Sequence, residues 1–340
     1  MQLFSSVILL YLCASPTYAQ DASKNIVDNI AGNTNLKTLG SLVSNQQYAA
    51  IRTLLSGAGP FTVFAPTDDA LNAAKLDTNN STLITNILRY HVISGRTTSG
   101  DIPDKGWVFP RTLLDDRQYV HLPNNAPQVL AISRDGSKVT VGYGTKNATV
   151  TQADQSASNG VIHIIDQVLM PPVSPGDTAK DAGLNTLVSE ITKTNIAQPI
   201  NGLQGVTIFA PNDAAFAAAK LDSVSNDQLN NLIKYHIVTP AVLYSTNLTD
   251  GTSFTSGQGA RLNIHTKDGN LYVNNARIVT PNVLTNNGVV HVIDAVLNPN
   301  ETTLLPGATG STGRGNDASN LSGITFVSLA LALVAAIQLF

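Results

Sequence analysis

Histidine is the residue type in this chain with the widest chemical potential, and four of the six histidines form two matched pairs. His91 and His236 each follow a tyrosine, whereas His163 and His291 each lie inside an apolar segment. An imidazole can serve as a general base or as a metal ligand. A metal site would have to join His91 to His163, and Asp166, the matched carboxylate nearby, would face away from His163 in an extended strand. The pattern therefore favours buried histidines that bind backbone carbonyls or tyrosine hydroxyls, and we expect no metal site.

Other catalytic signatures do not occur in the sequence. It has no G-x-S-x-G, HExxH, Walker or G-x-G-x-x-G motif, and Gly142-Tyr143-Gly144 lacks the third glycine of the last of these. Asp68, Asp69 and Asp213 could act as acid-base carboxylates, but helix capping explains them more simply, because each stands at the start of a helical pattern. No serine is singled out as a nucleophile. We therefore expect neither enzyme activity nor a cofactor, and a hydrolase is the weakest alternative.

Five aromatic or histidine side chains are candidates for binding a partner. A Tyr-His dipeptide stands at the end of a predicted helix twice in the chain. The single tryptophan lies in the segment Asp101–Pro127, which also holds Tyr119, His121 and several prolines. This segment is either an exposed recognition loop or a packed flap. The five candidates are Tyr90, His91, Tyr235, His236 and Trp107.

A domain that occurs twice positions these residues. Residues 62–71 (TVFAPTDDAL) match residues 207–216 (TIFAPNDAAF), and residues 159–169 (NGVIHIIDQVL) match residues 287–297 (NGVVHVIDAVL). Both Tyr-His dipeptides fall at equivalent places between these segments. A period of about 140 residues is typical of tandem domains and too long for a solenoid. The first repeat is longer because it has extra residues after its Tyr-His dipeptide.

The first half of each repeat predicts helices. Ile51, Leu54 and Leu55 share one face of a short helix. Residues 225–228 (SNDQ) form a capping box for the helix that ends in the second Tyr-His dipeptide. That helix then shows apolar residues at intervals of three and four, so its histidine lies on the buried stripe. The expected N-cap residues of the helices that follow the FAP segments are Thr67 and Asn212.

The second half of each repeat predicts strands. Asp135-Gly136 and Asp268-Gly269 each stand between alternating apolar segments, which is a strong hairpin signal. Asn159-Gly160 and Asn287-Gly288 are further tight turns. Each leads into a closing strand that is apolar on both faces, so we expect that strand to be central in its sheet. The proline-rich residues 171–177 predict a stiff, extended linker.

These landmarks resemble the fasciclin domain. The FAP segment, the Tyr-His dipeptide and the closing NG-V-[VI]-H strand occur in this order in both repeats and span most of the chain. The resemblance implies an α+β fold: two tandem fasciclin domains, each a twisted β-sandwich or wedge with helices packed along one side. It also implies an extracellular adhesion module, commonly in tandem and often carrying a glycosylphosphatidylinositol (GPI) anchor. The low cysteine content and the insertion around Trp107 are similar to fungal members of the family. The resemblance does not extend to integrin recognition, because Asp101-Ile102 occurs in the first repeat alone and outside a matching context.

Both ends of the chain read as targeting segments. Residues 1–19 predict a secretory signal peptide, since an apolar run is followed by Pro16 and small residues. Cys13 is the only cysteine and would leave with that peptide, so the mature chain would have no disulfide. Residues 321–340 are uncharged and follow small residues and a polar spacer, which predicts a GPI attachment signal, with a retained tail anchor as the alternative. The candidate attachment residues are Gly310 and Asn316.

Composition and sequons agree with an extracellular protein. The net charge is −3 and the isoelectric point is about 6.0. Because the chain has no basic run either, we expect no nucleic-acid partner. Asn-x-Ser/Thr sequons become usable once the chain is secreted. The predicted N-glycosylation sites are Asn79, Asn80, Asn147, Asn247 and Asn300.

The predicted layout follows from these features. It consists of a signal peptide (1–19), a first fasciclin domain (22–172), a proline-rich linker (173–177), a second fasciclin domain (178–300), a polar stalk with the attachment region (301–320) and a removed tail (321–340). We expect a protein on the outer face of the plasma membrane, attached to the membrane through a GPI lipid, or in the cell wall. It would mediate weak, avidity-based contact with glycans or proteins of cell surfaces, matrix or wall. The alternative is a surface carrier or sensor that binds a small lipid or glycan between helices and sheet.

Overall fold

The computed structural model describes residues 21–221 and 224–299. Within these ranges the chain divides into two compact units. The first unit contains residues 21–113, 132–141 and 147–170, and the second contains residues 114–131, 142–146, 171–221 and 224–299. The predictions for the signal peptide, for Asn300, and for the stalk and tail fall outside the described residues.

The first repeat places its helices before most of its strands. The helices are α1 (Ile26–Gly32), α2 (Lys37–Ser44), α3 (Ala49–Leu55), α4 (Asp68–Ala74) and α5 (Ser81–Tyr90). The strands are β1 (Phe61–Pro66), β2 (Val92–Ser94), β3 (Trp107–Val108), β4 (Ala131–Asp135), β5 (Lys138–Tyr143), β6 (Lys146–Ala157) and β7 (Gly160–Ile165). The hairpin predicted at Asp135-Gly136 is confirmed, since it joins β4 to β5.

The second repeat has the same order of elements. The helices are α6 (Pro175–Asp181), α7 (Asn185–Lys193), α8 (Ala197–Gly202), α9 (Asp213–Ala219) and α10 (Asn226–Tyr235). The strands are β8 (Val206–Pro211), β9 (Ile237–Val238), β10 (Ser253–Thr255), β11 (Arg261–Lys267), β12 (Asn270–Val273), β13 (Ala276–Thr285) and β14 (Gly288–Ile293). The hairpin predicted at Asp268-Gly269 is likewise confirmed, between β11 and β12.

Each repeat carries one seven-stranded sheet. The strand order is β2-β1-β7-β6-β5-β4-β3 in the first and β10-β11-β12-β13-β14-β8-β9 in the second. The closing strands β7 and β14 lie between two neighbours, and all six residues of each are buried. This confirms the prediction that they are central. Each closing strand runs parallel to the strand that opens its sheet, with Phe61 opposite Gly160 and Val206 opposite Gly288.

The predicted helix starts are confirmed. The Thr67 hydroxyl accepts a hydrogen bond from the Ala70 N–H at 3.2 Å. The Asn212 side chain accepts one from the Ala215 N–H at 2.8 Å. Ser225 and Gln228 form the expected capping box on α10. Local side-chain chemistry therefore fixes where these helices begin.

The short helix predicted around Ile51, Leu54 and Leu55 is confirmed as α3, in which Ile51 and Leu55 are buried and Leu54 is 37% exposed. One local prediction is wrong, because the end of the proline-rich segment is not extended. Ser174 accepts a hydrogen bond from the Asp177 N–H, so Pro175 becomes the first residue of α6, where its missing N–H costs nothing.

Two clusters of buried apolar residues pack against the sheet of the second repeat. One cluster packs α7, α8, α9 and α10 against one face of the sheet, with Phe216, Ile233 and Val290 among its members. A second cluster joins Phe209 of β8 to Ile264 of β11. These strands are not neighbours in the sheet, so the sheet must curl to bring them together. The predicted α+β fold, a twisted sheet structure with helices packed along one side, is confirmed.

Candidate functional site

The two Tyr-His dipeptides lie at the C-terminal ends of α5 and α10, and their side chains are buried. Tyr90 is 0% exposed and His91 4%, while Tyr235 is 3% and His236 5%. The Tyr235 hydroxyl donates to the Arg261 carbonyl oxygen at 3.0 Å and accepts from the Asn274 side chain at 2.8 Å. A partner could therefore contact these four side chains only if the C-terminal ends of α5 and α10 unfolded locally.

His91 and His236 join a helix end to the backbone that follows the closing strand. Nδ1 of His91 lies 2.7 Å from the Ile87 carbonyl oxygen, and Nε2 accepts a hydrogen bond from the Leu169 N–H at 2.9 Å. His236 repeats the arrangement with Leu232 and Leu297, at 2.8 and 2.9 Å. Because Nε2 must accept, the proton resides on Nδ1 and both rings are neutral.

Burial controls the ionisation of these two rings. Desolvation lowers the pKa of His91 and of His236 to about 4, and the hydrogen bond to the helix carbonyl opposes that shift in part. Both histidines are therefore uncharged at neutral pH. Their ring nitrogens are fully used by the fold.

The histidines of the closing strands have a similar structural setting. His163 stacks on Phe64 and His291 on Phe209, with ring centroids 5.3 and 5.6 Å apart. Nε2 of His163 lies 2.9 Å from the Thr97 carbonyl oxygen, while Nδ1 accepts from the Asp154 N–H at 3.2 Å. Burial is the main cause that lowers the pKa of His163, and it lowers that of His291 to about 4. These backbone hydrogen bonds occupy both ring nitrogens of His91 and of His163, so neither ring has a nitrogen free for a shared metal ion.

A serine and an aspartate lie beside His163, but their order differs from that of a catalytic triad. Ser99 donates its hydroxyl hydrogen to Asp154, not to the imidazole. Because both ring nitrogens of His163 are already bound to backbone groups, the ring cannot take a proton from Ser99. In the second repeat an asparagine, Asn282, stands at the place of Asp154 and binds both Ser245 and His291. The shared element is a hydrogen-bonded support for a buried histidine.

Trp107 occupies the two-residue edge strand β3, opposite Ser133 of β4. Its indole is half-buried and stacks on the Phe109 ring, with the two planes 10° apart and the centroids 6.3 Å apart. Other residues of the same insertion, such as Ile102 and Leu114, are fully buried. The insertion is thus largely packed, and Trp107 is the partner-binding candidate that keeps an accessible ring.

Asn159 and Asn287, which the sequence analysis places in tight turns, also make side-chain hydrogen bonds to distant backbone groups. The Asn159 side chain donates to the carbonyl oxygens of Leu55 and Gly57, both at 2.7 Å, and accepts from the Ile26 N–H at 2.9 Å. Asn287 donates to the carbonyl oxygens of Ile200 and Leu203 in the same way, both at 3.0 Å. Each asparagine ties the end of a helix to the start of the closing strand. In the sequence, this role is signalled by an asparagine that precedes glycine at the equivalent place in both repeats.

Two of the three aspartates assigned to capping, Asp68 and Asp213, cap the start of a neighbouring helix. Asp68 accepts from the Thr38 N–H at 2.7 Å, at the start of α2. Asp213 accepts from the Thr186 N–H at 2.9 Å, at the start of α7. That hydrogen bond is the main cause that lowers the pKa of Asp213. Both carboxylates therefore serve the packing of helices.

The space between helices and sheet is small in both units. An apolar cavity in the second unit has a volume of about 40 Å³ and is lined by Leu187, Phe216 and His236 among others. The corresponding cavity in the first unit measures about 20 Å³. A water needs roughly 10 to 15 Å³ on this measure, so the larger cavity has room for about three waters.

The described sequons are accessible. Asn79, Asn80, Asn147 and Asn247 are all exposed. The side-chain oxygen of Asn80 also caps α5, because it accepts a hydrogen bond from the Leu83 N–H at 3.0 Å, and the side-chain nitrogen is left for a glycan.

Within residues 21–221 and 224–299, no group of three or more His, Cys, Asp or Glu could hold a metal ion. In the same ranges, no helix has the length and apolar character needed to cross a bilayer.

Comparison with known proteins gives a consistent picture. The sequence matches the Fasciclin domain over residues 34–171 and again over residues 182–299. A "Fasciclin-like arabinogalactan protein" of Arthroderma benhamiae is 34% identical over 67% of this chain and 54% of its own length. The "Fasciclin-like arabinogalactan protein elcF" of Phaeosphaeria nodorum is 30% identical over 77% of this chain and 84% of its own length. The chain thus spans about half of the first relative and most of the second.

One solved structure is also similar. It is described as a FAS1 domain pair from the insect cell adhesion molecule Fasciclin I, and it aligns with 78% of this chain and 97% of its own at 19% identity and a TM-score of 0.39.

Proposed function

This chain belongs to the fasciclin domain family, and from that membership we propose that it is an extracellular adhesion protein held on the cell surface by a GPI anchor. The family is linked to cell adhesion, and the match in tandem over both repeats is the observation that carries the proposal. The fungal relatives named above support a fungal fasciclin-like protein. The sequence signals at the two ends of the chain supply the secretion and the anchor.

In this proposal the affinity of a single molecule for its partner is low, and many molecules on one surface together bind strongly. The described residues form packed cores with apolar cavities of only about 40 and 20 Å³, which offer no deep apolar site for a tight partner. Many copies held on one membrane raise the effective concentration of each contact, so avidity replaces single-site affinity. Partners would be glycans or proteins of another cell, the matrix or the wall, and Trp107 is the accessible candidate among the residues singled out from sequence.

The anchor is tested by enzymatic release. Intact cells that express the full chain are treated with a phosphatidylinositol-specific phospholipase, and the medium is probed for the protein. We expect release into the medium, and a matched chain whose residues 321–340 are replaced by a known membrane-spanning helix should stay on the cells. Protein that resists release in both cases would overturn the anchor.

Adhesion is tested by deletion and add-back. Cells that lack the protein should attach to each other or to a wall-coated surface less well than the parent, and the full chain should restore attachment. A chain without residues 321–340, which is secreted and not displayed, serves as the control and should not restore it. Unchanged attachment after deletion would overturn the adhesion proposal.

The internal cavities do not favour the alternative function of a lipid carrier. About 40 Å³ between helices and sheet is too small for an acyl chain unless the helices move apart. Mass spectrometry of an organic extract of the purified protein decides the point. A stoichiometric co-purified lipid would revive the carrier function.

A further inference from the structure

The second unit contains an open cleft with a partly polar lining, to which the proposed adhesion function assigns no role. It has a volume of about 570 Å³ and lies between helices α9 and α10 and the segment after β14. This volume falls within the roughly 300 to 1,000 Å³ range of small-molecule sites. Carboxamides dominate its polar lining. They belong to Gln228, Asn231, Gln258, Asn275 and Asn298.

Three of these carboxamides are free to bind a ligand. The side chains of Asn231, Gln258 and Asn275 are exposed, and within the described part of the chain they have no hydrogen-bond partner. Gln228 uses its carbonyl oxygen to accept from the Ser225 N–H at 3.0 Å. A carboxamide offers both a donor and an acceptor, as a sugar hydroxyl does.

The charge of the cleft selects against ionic ligands. Asp294 is the one lining residue among those described that has a formal charge. Arg277 binds this carboxylate, because the backbone N–H of Arg277 donates to one oxygen at 2.7 Å and the guanidinium Nε lies 3.6 Å from the other. No lysine or arginine lines the described cleft to hold a sulfate or carboxylate. The methyl groups of Ala215, Ala218 and Ala219 add an apolar wall suited to the C–H face of a sugar ring.

The first repeat differs at two of the equivalent sequence positions and keeps asparagine at two others, Asn86 for Asn231 and Asn147 for Asn275. Leu83 stands where the second repeat has Gln228, and Met170 stands where it has Asn298. Asn147, the equivalent of Asn275, begins a predicted N-glycosylation sequon, and Asn79 and Asn80 begin two more just before α5. The equivalent surface of the first repeat would therefore carry glycans of its own.

We propose that this cleft in the second unit binds a neutral oligosaccharide and that it is the site through which the protein contacts glycans. The inference rests on the proposed adhesive function, to which it adds a ligand class and a location. Paired donors and acceptors, an apolar wall and a carboxylate that is already bound by Arg277 fit a hexose chain without acidic groups.

Binding to defined oligosaccharides tests the proposal. The full chain is purified in a mild detergent, and its own N-glycans are removed by an endoglycosidase so that they do not compete. Titration calorimetry is carried out with glucose and mannose hexasaccharides, and with a sulfated hexasaccharide as the anionic probe. We expect binding of at least one neutral probe and none of the sulfated one.

The double variant Asn231→Ala/Gln258→Ala should bind the neutral probe about tenfold more weakly or worse, since two hydrogen bonds are lost. Asn230→Ala changes the same residue type on the same helix outside the cleft and should bind as the parent does. Both variants alter accessible side chains, and their thermal unfolding is compared with that of the parent. Absence of neutral binding, preference for the sulfated probe, or full binding by the double variant would overturn the proposal.

The same variants separate this inference from the broader function. If deletion of the protein reduces cell attachment but the double variant restores it fully, adhesion stands and the cleft is not its site. If neutral oligosaccharides bind in the cleft but deletion leaves attachment unchanged, the cleft stands and the adhesion proposal fails.

Discussion

At the scale of single residues, the histidine of each Tyr-His dipeptide acts as a structural connector. One ring nitrogen holds the last turn of a helix, and the other receives the backbone N–H of a residue beyond the closing strand. The same two bonds recur in the second repeat. A shared packing role explains the recurrence of the dipeptide without any contact to a partner.

Substitution of His91 tests this role. His91→Phe keeps the ring volume but leaves the Leu169 N–H buried without an acceptor, and it also removes the bond to Ile87. We expect the free energy of unfolding to fall by about 2 to 4 kcal/mol, measured by urea denaturation. His265→Phe is the control, because Nε2 of that half-buried histidine has no partner within the described residues, and it should cost less than about 1 kcal/mol. Equal effects of the two changes would contradict the connector role.

The buried histidines also predict how stability depends on pH. The folded pKa of His91, His236 and His291 is about 4, against about 6.5 in the unfolded chain. The unfolded state therefore takes up protons first, and stability falls as the pH drops below about 6.5 until the loss is complete near pH 4. Between pH 7 and pH 5 we expect each such histidine to cost about 2 kcal/mol.

Urea denaturation at several pH values measures this loss, and NMR of the histidine ring protons assigns it. The ring signals of His91, His236 and His291 in the folded protein should stay unchanged down to about pH 5. A signal of His91 or His236 that titrates near 6.5 in the folded state would contradict the prediction.

At the scale of elements, the contact between opening and closing strands leaves no room for a side chain. A Cβ atom added at Gly160 would lie 2.0 Å from the Phe61 carbonyl oxygen, and one at Gly288 would lie 1.8 Å from that of Val206. Both positions belong to the parallel pair that holds the sheet together. Glycine is needed here for close approach of two backbones.

Gly160→Ala should therefore push β7 away from β1. We expect a loss of about 3 kcal/mol or more in the free energy of unfolding, since the clash is with backbone and cannot be relieved by a rotamer change. Gly32→Ala is the matched control in the same unit, because nothing lies within 4 Å of the added atom. That change should be neutral or slightly stabilising. Circular dichroism during urea denaturation measures both, and similar midpoints for the two variants would show that the strands can adjust.

Many of the helix starts, hairpins and central strands could be predicted from the sequence, because the residues that determine them lie close together in the chain. The capping box at residues 225–228, the Asp-Gly hairpins and the fully apolar closing strands each encode their structure within a few residues. The double role of Asn159 could not be predicted, since its partners Leu55 and Ile26 lie about 100 residues away or more. Similarly, the proline-rich composition of residues 171–177 predicts a linker and hides the start of α6, although Ser174 is a good N-cap for it. The free carboxamides of the cleft come from separate elements, so no sequence window contains them.

At the scale of the whole molecule, stability rests on packing and hydrogen bonds. The ion pairs recorded among the described residues mostly join exposed side chains, such as Lys180 with Asp177 at 3.0 Å. Pairs of this kind contribute little to stability. The chain has one cysteine, Cys13, and so cannot form a disulfide within itself. The apolar cores and the buried polar connectors must therefore stabilise the fold without a disulfide.

A reductant should consequently leave the thermal unfolding temperature unchanged. If the signal peptide is cleaved as predicted, the purified protein should also run as a monomer on a non-reducing gel and show no reaction with a thiol reagent. A maleimide label followed by mass spectrometry checks this directly. Labelled protein would show that Cys13 is retained, and its exchange for serine would serve as the control.

The parallel pairing of the opening and closing strands has a consequence for synthesis. Phe61 is made about a hundred residues before its partner Gly160, and Val206 more than eighty residues before Gly288. Neither sheet can be completed until its last strand has left the ribosome, and contacts so distant in sequence form slowly. During its synthesis each repeat therefore presents an unpaired apolar opening strand until the closing strand has been made. All seven strands of the first sheet precede the second repeat, so that sheet can close while the second repeat is still being made.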